Sequence, residues 1–251
     1  MMLRKEFLTA LFLTLAGHSV HANLFFELYP NDLLFGKGNP DLSNGEAPLI
    51  KPVQKAFDQM AEAAKKENVT LKIVSGYRSF ERQKQIWNTK YSRNQKAGLD
   101  PIDNIKKIIT FSTLPGTSRH HWGTEVDLID GSQKEEGDVL LTQKFQGEGP
   151  YARLALWMQE NASQFGFYLP YTNNKKRKGF SFEPWHYSYA PVSIQMLKAY
   201  LKLDLISFLK ASEVLGKEVF DIDFISNLYQ GWVSDIKKYG SGVGKAIWCY
   251  T

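Results

Sequence analysis

Hydrophobic and polar residues follow one another in patterns that predict both helices and a strand in the first half of the chain. Apolar residues recur at helical spacing over residues 52–64, and a second helix is expected over about residues 79–91. Between these helices, residues 69–75 alternate apolar and polar side chains, which is typical of a half-buried strand. Gly76 permits a sharp turn between this strand and the second helix.

Residues 100–189 are predicted to form two further helices and three further strands. Asp100 and Pro101 form the cap and first turn of a helix that ends before Leu114, and Pro150 begins a helix that ends at Gly166. Short strands are expected at about residues 124–129, 167–169 and 185–189. The pattern predicts an α+β fold, in which helices pack against a small, mainly antiparallel sheet and a cleft lies across that sheet.

Residues 1–22 have the pattern of a secretory signal peptide. Arg4 and Lys5 precede an apolar run that is too short for a stable membrane span, and small residues occupy the two positions that a signal peptidase reads before residue 23. We therefore expect cleavage after Ala22. The mature protein is expected to be periplasmic or secreted, with no membrane span after signal removal.

Residues 191–251 are predicted to be a helical extension of a main domain that spans residues 23–190 and begins with an extended lead-in. Apolar residues recur in the extension at the spacing of one helical face, and they include Met196, Tyr200, Leu201, Leu205, Phe208 and Leu209. An apolar face of this size is unfavourable when it is exposed to water. We therefore expect the extension to pack on the main domain or on a partner.

Charge and cysteine content limit the classes of partner. The 251 residues carry a formal net charge of +5, which falls to about +4 when Arg4, Lys5 and Glu6 leave with the signal. The basic run 175–178 is expected to be a solvated loop, and no motif supports nucleic-acid binding. Cys249 is the single cysteine and cannot form an internal disulfide. A monomer held together by its core is expected.

Two short motifs contain all the histidines that remain after signal cleavage. One is SRHHWGTEVD at residues 118–127, and the other is EPWH at residues 183–186. Together His120, Asp127 and His186 offer two imidazoles and a carboxylate. Three such ligands leave an open position for water on a zinc ion, which is the arrangement of a hydrolase rather than of a structural site.

Two glutamates are expected near this zinc site. Residues two apart on a strand share a face, so Glu125 lies on the same face as Asp127. Pro184 holds Glu183 in an extended conformation just outside the strand that carries His186. The Glu183 carboxylate is therefore free to act as a general base beside the metal.

With these motifs, the chain resembles the D-alanyl-D-alanine carboxypeptidases of the VanY type, in the LAS group of peptidoglycan metallopeptidases. That group carries S-x-H-x-x-G-x-A-x-D and E-x-W-H, with S-G-Y-R-S-x-x-x-Q upstream. Here the upstream motif reads SGYRSFERQ at residues 75–83, followed by residues 118–127 and 183–186. The resemblance extends from about Val53 to Ala190.

The resemblance implies a zinc metallocarboxypeptidase that hydrolyses a D-alanyl bond in peptidoglycan stem peptides. The implied Zn²⁺ ligands are His120, Asp127 and His186. Glu183 would be the general base, and Arg78 would stabilise the developing oxyanion. Ser118 and Gln83 would lie near the terminal carboxylate of the substrate.

One position departs from the family motif, because Glu125 stands where the family has alanine. Glu125 is a candidate for contact with a substrate amine, for a salt bridge with Arg78 or Arg119, or for support of a metal ligand. His121 is not a ligand in the motif, and a hydrogen-bonded packing role is expected for it.

Two other functions remain open at the level of the sequence. One is an endopeptidase that cuts peptidoglycan cross-links, and nothing in the sequence separates it from a carboxypeptidase. The other is a non-catalytic wall-binding module of the same fold. Retention of Glu183 with all three predicted ligands disfavours the module.

Overall fold

Four antiparallel strands form the sheet at the centre of the described structure. A computed structural model describes residues 29–110, 112–177, 179–220 and 233–236. Its strands are β1 (Leu71–Ser75), β2 (Glu125–Asp130), β3 (Phe167–Tyr168) and β4 (His186–Tyr189). Their spatial order is β1-β2-β4-β3, and each neighbouring pair is antiparallel. The predicted α+β class with a small antiparallel sheet is confirmed.

Seven α-helices surround this sheet within the described residues. They are α1 (Asn31–Leu34), α2 (Lys51–Lys66), α3 (Phe80–Lys96), α4 (Pro101–Ile109), α5 (Ala152–Asn161), α6 (Ala190–Tyr200) and α7 (Leu205–Ala211). A 3₁₀ turn, Arg119–Trp122, precedes β2. Ser79 and Asp100 cap α3 and α4 by accepting backbone N–H groups, and the cap at Asp100 was predicted from the sequence.

Strand β2 separates two environments because its side chains alternate between the faces of the sheet. Val126 and Leu128 are fully buried in a core that α2, α5 and the sheet share. Glu125 and Asp127 lie on the other face, and both are also buried. Glu125 and Asp127 are therefore enclosed between the sheet and the elements that cover its second face.

A second core lies among α1, α3, α4, α6 and α7. The lead-in before α2 contributes to it, because Leu34 and Phe35 are buried there and Leu34 O accepts a hydrogen bond from Trp122 Nε1. The expectation of a wholly extended lead-in was therefore wrong. A helical turn forms at residues 31–34 because it brings apolar side chains into this core.

The described part of the predicted extension packs on this second core. Phe208 stacks on Phe35 with ring centroids 3.7 Å apart and meets the edge of Phe80 at 5.5 Å. Leu209 is fully buried, whereas Leu201 is 46% exposed and does not belong to the buried face as expected. Leu201 lies just past the end of α6, where the chain leaves the helix. The boundary at residues 190 and 191 stays a prediction.

The predicted signal peptide, residues 1–22, and Cys249 lie outside the described residues. Among the residues that are described, no helix is both long and apolar enough to cross a membrane.

The packing of α7 predicts that Leu209→Ala destabilises the fold. Deleting a fully buried leucine side chain leaves a cavity and lowers the free energy of unfolding by about 2–5 kcal/mol. Leu201→Ala is the matched control, because a change at an exposed leucine alters stability by about 0.5 kcal/mol or less. Urea denaturation measures both, and equal stabilities for the two variants would contradict the packing described.

Candidate metal centre

The pairing of β2 with β4 brings two of the predicted ligands together. Asp127 lies opposite His186 in the antiparallel register, and Glu125 lies opposite Ser188. Directly paired residues on one face of a sheet have neighbouring side chains. Asp127 Oδ1 accordingly lies 2.9 Å from His186 Nδ1.

The third predicted ligand comes from the 3₁₀ turn before β2. Gly123 ends this turn with a φ of 65°, a left-handed conformation that glycine adopts without strain. Arg78 N donates a hydrogen bond to His120 O at 3.0 Å, which fixes the turn to the segment after β1. His120 Nε2 then lies 3.2 Å from Asp127 Oδ2.

A bulge near the end of β1 positions the segment that supports His120. The pairing register with β2 shifts between Ile73 and Ser75, and the chain then turns at Gly76. A Cβ atom on Gly76 would lie 2.6 Å from two backbone oxygens, those of Ala47 and Pro48. Only glycine fits this close approach without a shift of the backbone.

His120, Asp127 and His186 form a cluster with the donor set of a metal site. One ligand atom from each residue lies within 4.8 Å of the others, and all three residues are buried. Two imidazoles and a carboxylate suit zinc and leave a coordination position open. The residues present therefore fit a divalent cation.

Each histidine has one ring nitrogen that faces away from the cluster. The hydrogen bond of that nitrogen determines where the proton lies and leaves the other nitrogen for a metal. His120 Nδ1 lies 2.8 Å from Gly76 O, and His186 Nε2 lies 3.0 Å from Glu125 Oε2. Carbonyl and carboxylate oxygens only accept, so each of these nitrogens carries a proton. His120 Nε2 and His186 Nδ1 are thereby left to bind a metal through their lone pairs.

Burial and close charges change the pKa values in this cluster. Burial disfavours ionisation of Asp127, yet His120 and His186 hold its pKa well below the usual range. Burial alone would lower the pKa of His186, but hydrogen bonds to Asp127 and Glu125 raise it to about 10. The carboxylates thus favour a cation in this space. A metal ion that binds here takes the place of a proton.

Glu183 lies at the border of the cluster. Its Oε2 is 3.8 Å from His186 Nδ1, and its side chain is 20% exposed. Burial raises the pKa of Glu183 to about 7, with Asp127 adding to the increase and His186 opposing it. The carboxylate therefore lies beside a proposed metal ligand and is still reached by solvent.

Arg78 is held beside the cluster by two hydrogen bonds. Its guanidinium donates to Ser75 Oγ at 2.8 Å and to Gln83 Oε1 at 3.0 Å. Gln83 Nε2 in turn donates to Thr113 O at 2.7 Å. Burial lowers the pKa of Arg78 and the nearby Asp127 raises it, so the guanidinium stays charged. Its role as an oxyanion partner stays a prediction.

The predicted substrate residues Gln83 and Ser118 are both buried. The side chain of Gln83 uses both polar ends within the protein, where it fixes Arg78. Ser118 begins the 3₁₀ turn, and its carbonyl accepts a hydrogen bond from His121 N at 3.0 Å. Their contact with a substrate carboxylate stays a prediction.

Glu125 lies under His186 rather than in open space. It is fully buried, and its Oε1 accepts a hydrogen bond from Arg119 Nη2 at 3.0 Å. This geometry favours the salt bridge with Arg119, which the sequence left open, over the predicted substrate contact. With no exposed surface, Glu125 has no side on which a substrate amine could approach.

His121 has partners that agree with a packing role. Its Nδ1 donates to Arg78 O at 2.5 Å, and its Nε2 accepts from Gly116 N at 3.0 Å. Burial lowers the pKa of His121 to about 3, so the ring is neutral. His121 therefore supports the backbone that carries Arg78.

Sequence reasoning missed two residues that contact the site. Ser188 donates to Glu125 Oε1 at 2.8 Å, and the ring of Tyr171 lies 4.8 Å from that of His186. Ser188 could have been found, because it is two residues beyond His186 on the same strand face. Tyr171 comes from a loop, where no periodic pattern predicts its direction.

Comparisons with known proteins agree with the motifs. The D-alanyl-D-alanine carboxypeptidase of Enterococcus faecalis is 30% identical over 153 residues, which cover 60% of this chain and 51% of that protein. The bifunctional D-Ala-D-Ala dipeptidase and D-Ala-D-Ala carboxypeptidase VanXYC of Enterococcus gallinarum is 29% identical over 170 residues, covering 62% of this chain and 81% of that protein. The chain therefore spans about half the length of the first relative and more of the second.

The fold is also similar to that of a solved structure, VanYB in complex with D-alanine-D-alanine. The TM-score is 0.51 at 24% sequence identity, and the match covers 70% of this chain and 92% of the other. The family model described as VanY, D-alanyl-D-alanine carboxypeptidase, matches residues 47–192 and so includes all three motifs. Because this match covers more than half of the chain, the protein belongs to the VanY family of D-alanyl-D-alanine carboxypeptidases.

Proposed function

We propose that this chain is a zinc-dependent carboxypeptidase that hydrolyses a D-alanyl bond at the carboxyl end of peptidoglycan stem peptides. The observation that carries the proposal is the cluster of His120, Asp127 and His186 with Glu183 at its border. Family membership supports the substrate class. The names of the Enterococcus relatives support the reaction.

In this proposal His120 Nε2, an Asp127 oxygen and His186 Nδ1 hold the metal. Bound zinc would supply Lewis acidity, lowering the pKa of water and polarising the scissile carbonyl. The three side chains are already fixed by the sheet register, the 3₁₀ turn and their outer hydrogen bonds. Little reorganisation is therefore needed when the ion binds.

Glu183 and Arg78 perform the proton and charge steps. Glu183 takes a proton from the attacking water, whose oxygen forms a bond to the carbonyl carbon. The carbon–nitrogen bond then breaks, and Glu183 returns the proton to the amine of the leaving D-alanine. Arg78 lies beside the cluster and stabilises the negative charge that develops on the carbonyl oxygen.

Digestion of purified muropeptides tests the proposed reaction. We expect the full-length protein with zinc to release the terminal D-alanine from pentapeptide stems and to leave cross-links intact, as measured by mass analysis of the products. Conversion of cross-linked dimers into monomers with unchanged stem ends would favour the endopeptidase instead. Binding without any product would favour the non-catalytic module.

Substitutions separate the metal ligands from the general base. His120→Ala and His186→Ala each remove a donor, so we expect both proteins to lose zinc in metal analysis. Glu183→Gln is the matched control, because it should keep zinc while turnover falls by about 10²–10⁴-fold. Full zinc content in the histidine variants would contradict the ligand assignment. Loss of zinc from Glu183→Gln would make Glu183 a ligand.

The proposed substrate lies outside the cytoplasm, so we also propose export through residues 1–22 and a monomeric mature protein. Arg4, Lys5 and the apolar run that follows them support this step. We expect N-terminal sequencing of the exported protein to begin at Asn23 and light scattering to give the monomer mass. An exported protein that still begins at Met1 would contradict the cleavage.

A further inference from the structure

A buried ion pair lies directly beneath one of the proposed metal ligands. Arg119 Nη2 is 3.0 Å from Glu125 Oε1, and the two side chains are only 1% and 0% exposed. Glu125 stands where the family motif has alanine, so the motif does not require a charge here. This chain contains the Arg119–Glu125 ion pair, and neither residue has a role in the proposed reaction.

The two oxygens of Glu125 have different partners. Oε1 accepts hydrogen bonds from Arg119 Nη2, from Ser188 Oγ at 2.8 Å and from Thr124 Oγ1 at 3.0 Å. Oε2 faces His186 Nε2 at 3.0 Å. Three donors on one oxygen fix the carboxylate, so that the other oxygen is presented to the histidine ring.

Removing this ion pair from water costs free energy. The contacts around Arg119 do not fully offset that cost. Arg119 Nε and Nη1 have no hydrogen-bond partner among the described residues, although the guanidinium lies 4.8 Å above the ring of Trp122. Ion pairs removed from water are seldom favourable for stability alone. We therefore look for the effect of the pair at its contact with a proposed metal ligand, the contact between Glu125 and His186.

We infer that the Arg119–Glu125 pair is a positioning device that holds the proton of His186 on Nε2 and keeps the Nδ1 lone pair directed at the metal position. This inference rests on the proposed function, because it assigns the pair to the affinity of the proposed zinc site. Carboxylates that accept from the outer nitrogen of a ligating histidine fix its tautomer and orientation. Arg119 and Glu125 are positioning residues and do not contact the substrate.

Glu125→Gln tests this inference with almost no change in shape. Arg119 can only donate, so the amide oxygen takes the position of Oε1, where the hydroxyls of Ser188 and Thr124 can also donate to it. The amide nitrogen then takes the position of Oε2 and presents a donor to His186 Nε2. His186 then favours its proton on Nδ1, and zinc must displace that proton in order to bind there.

We expect Glu125→Gln to weaken zinc binding by about 10–100-fold, as measured by competition with a chromogenic chelator. In the zinc-loaded protein, NMR should detect a proton on His186 Nε2 that the variant lacks. Asp130→Asn is the matched control, because Asp130 is also a buried carboxylate of β2 but accepts its hydrogen bonds from Ser132. Its zinc affinity and its His186 proton should equal those of the parent.

The inference would be overturned if Glu125→Gln kept both the zinc affinity of the parent and the proton on His186 Nε2. If that variant does not fold, Ser188→Ala decides the question, because it removes one donor that orients Glu125 and leaves the charge. A weaker zinc site in Ser188→Ala supports the inference, and an unchanged site overturns it. A parent protein that binds zinc but leaves muropeptides intact would contradict the proposed function alone.

Discussion

The register between β2 and β4 is the constraint on which the rest of the site depends. It places Asp127 opposite His186 and Glu125 opposite Ser188, so one pair of adjacent strands provides two of the proposed metal ligands and the network beneath them. A shift of one residue would turn these side chains to the other face of the sheet. Apolar residues such as Val126 fix the register, because they must face the core formed with α2 and α5. Packing on one face of the sheet therefore determines chemistry on the other.

Charge balance explains why so many ionisable groups can lie together in a buried site. Asp127 and Glu125 are negative, while Arg119 and a protonated His186 are positive. Removing one member of such a group leaves a buried charge without its partner, which is strongly destabilising. The same balance favours a divalent cation, because the ion replaces the proton on His186 Nδ1 beside Asp127 while the proton on Nε2 remains beside Glu125.

Much of this arrangement could be predicted from the sequence, and the remainder depends on contacts between distant segments. Hydrophobic periodicity located α2 and β2, and residue spacing placed Glu125 on the face of Asp127. The sequence could not predict whether Glu125 contacts Arg119 or a substrate, because that contact depends on how the turn before β2 folds under His186. The exposed position of Leu201 was also missed, since a helical pattern does not show where the helix ends.

The proposed site holds one zinc ion through His120 Nε2, a carboxylate oxygen of Asp127 and His186 Nδ1. A crystal structure of the zinc-loaded protein, with anomalous scattering measured on both sides of the zinc edge, tests it most directly. We expect a zinc peak at about 2.0–2.2 Å from His120 Nε2, Asp127 and His186 Nδ1, with His186 Nε2 still hydrogen-bonded to Glu125. A zinc peak at other residues, or one bound through His186 Nε2, would contradict it.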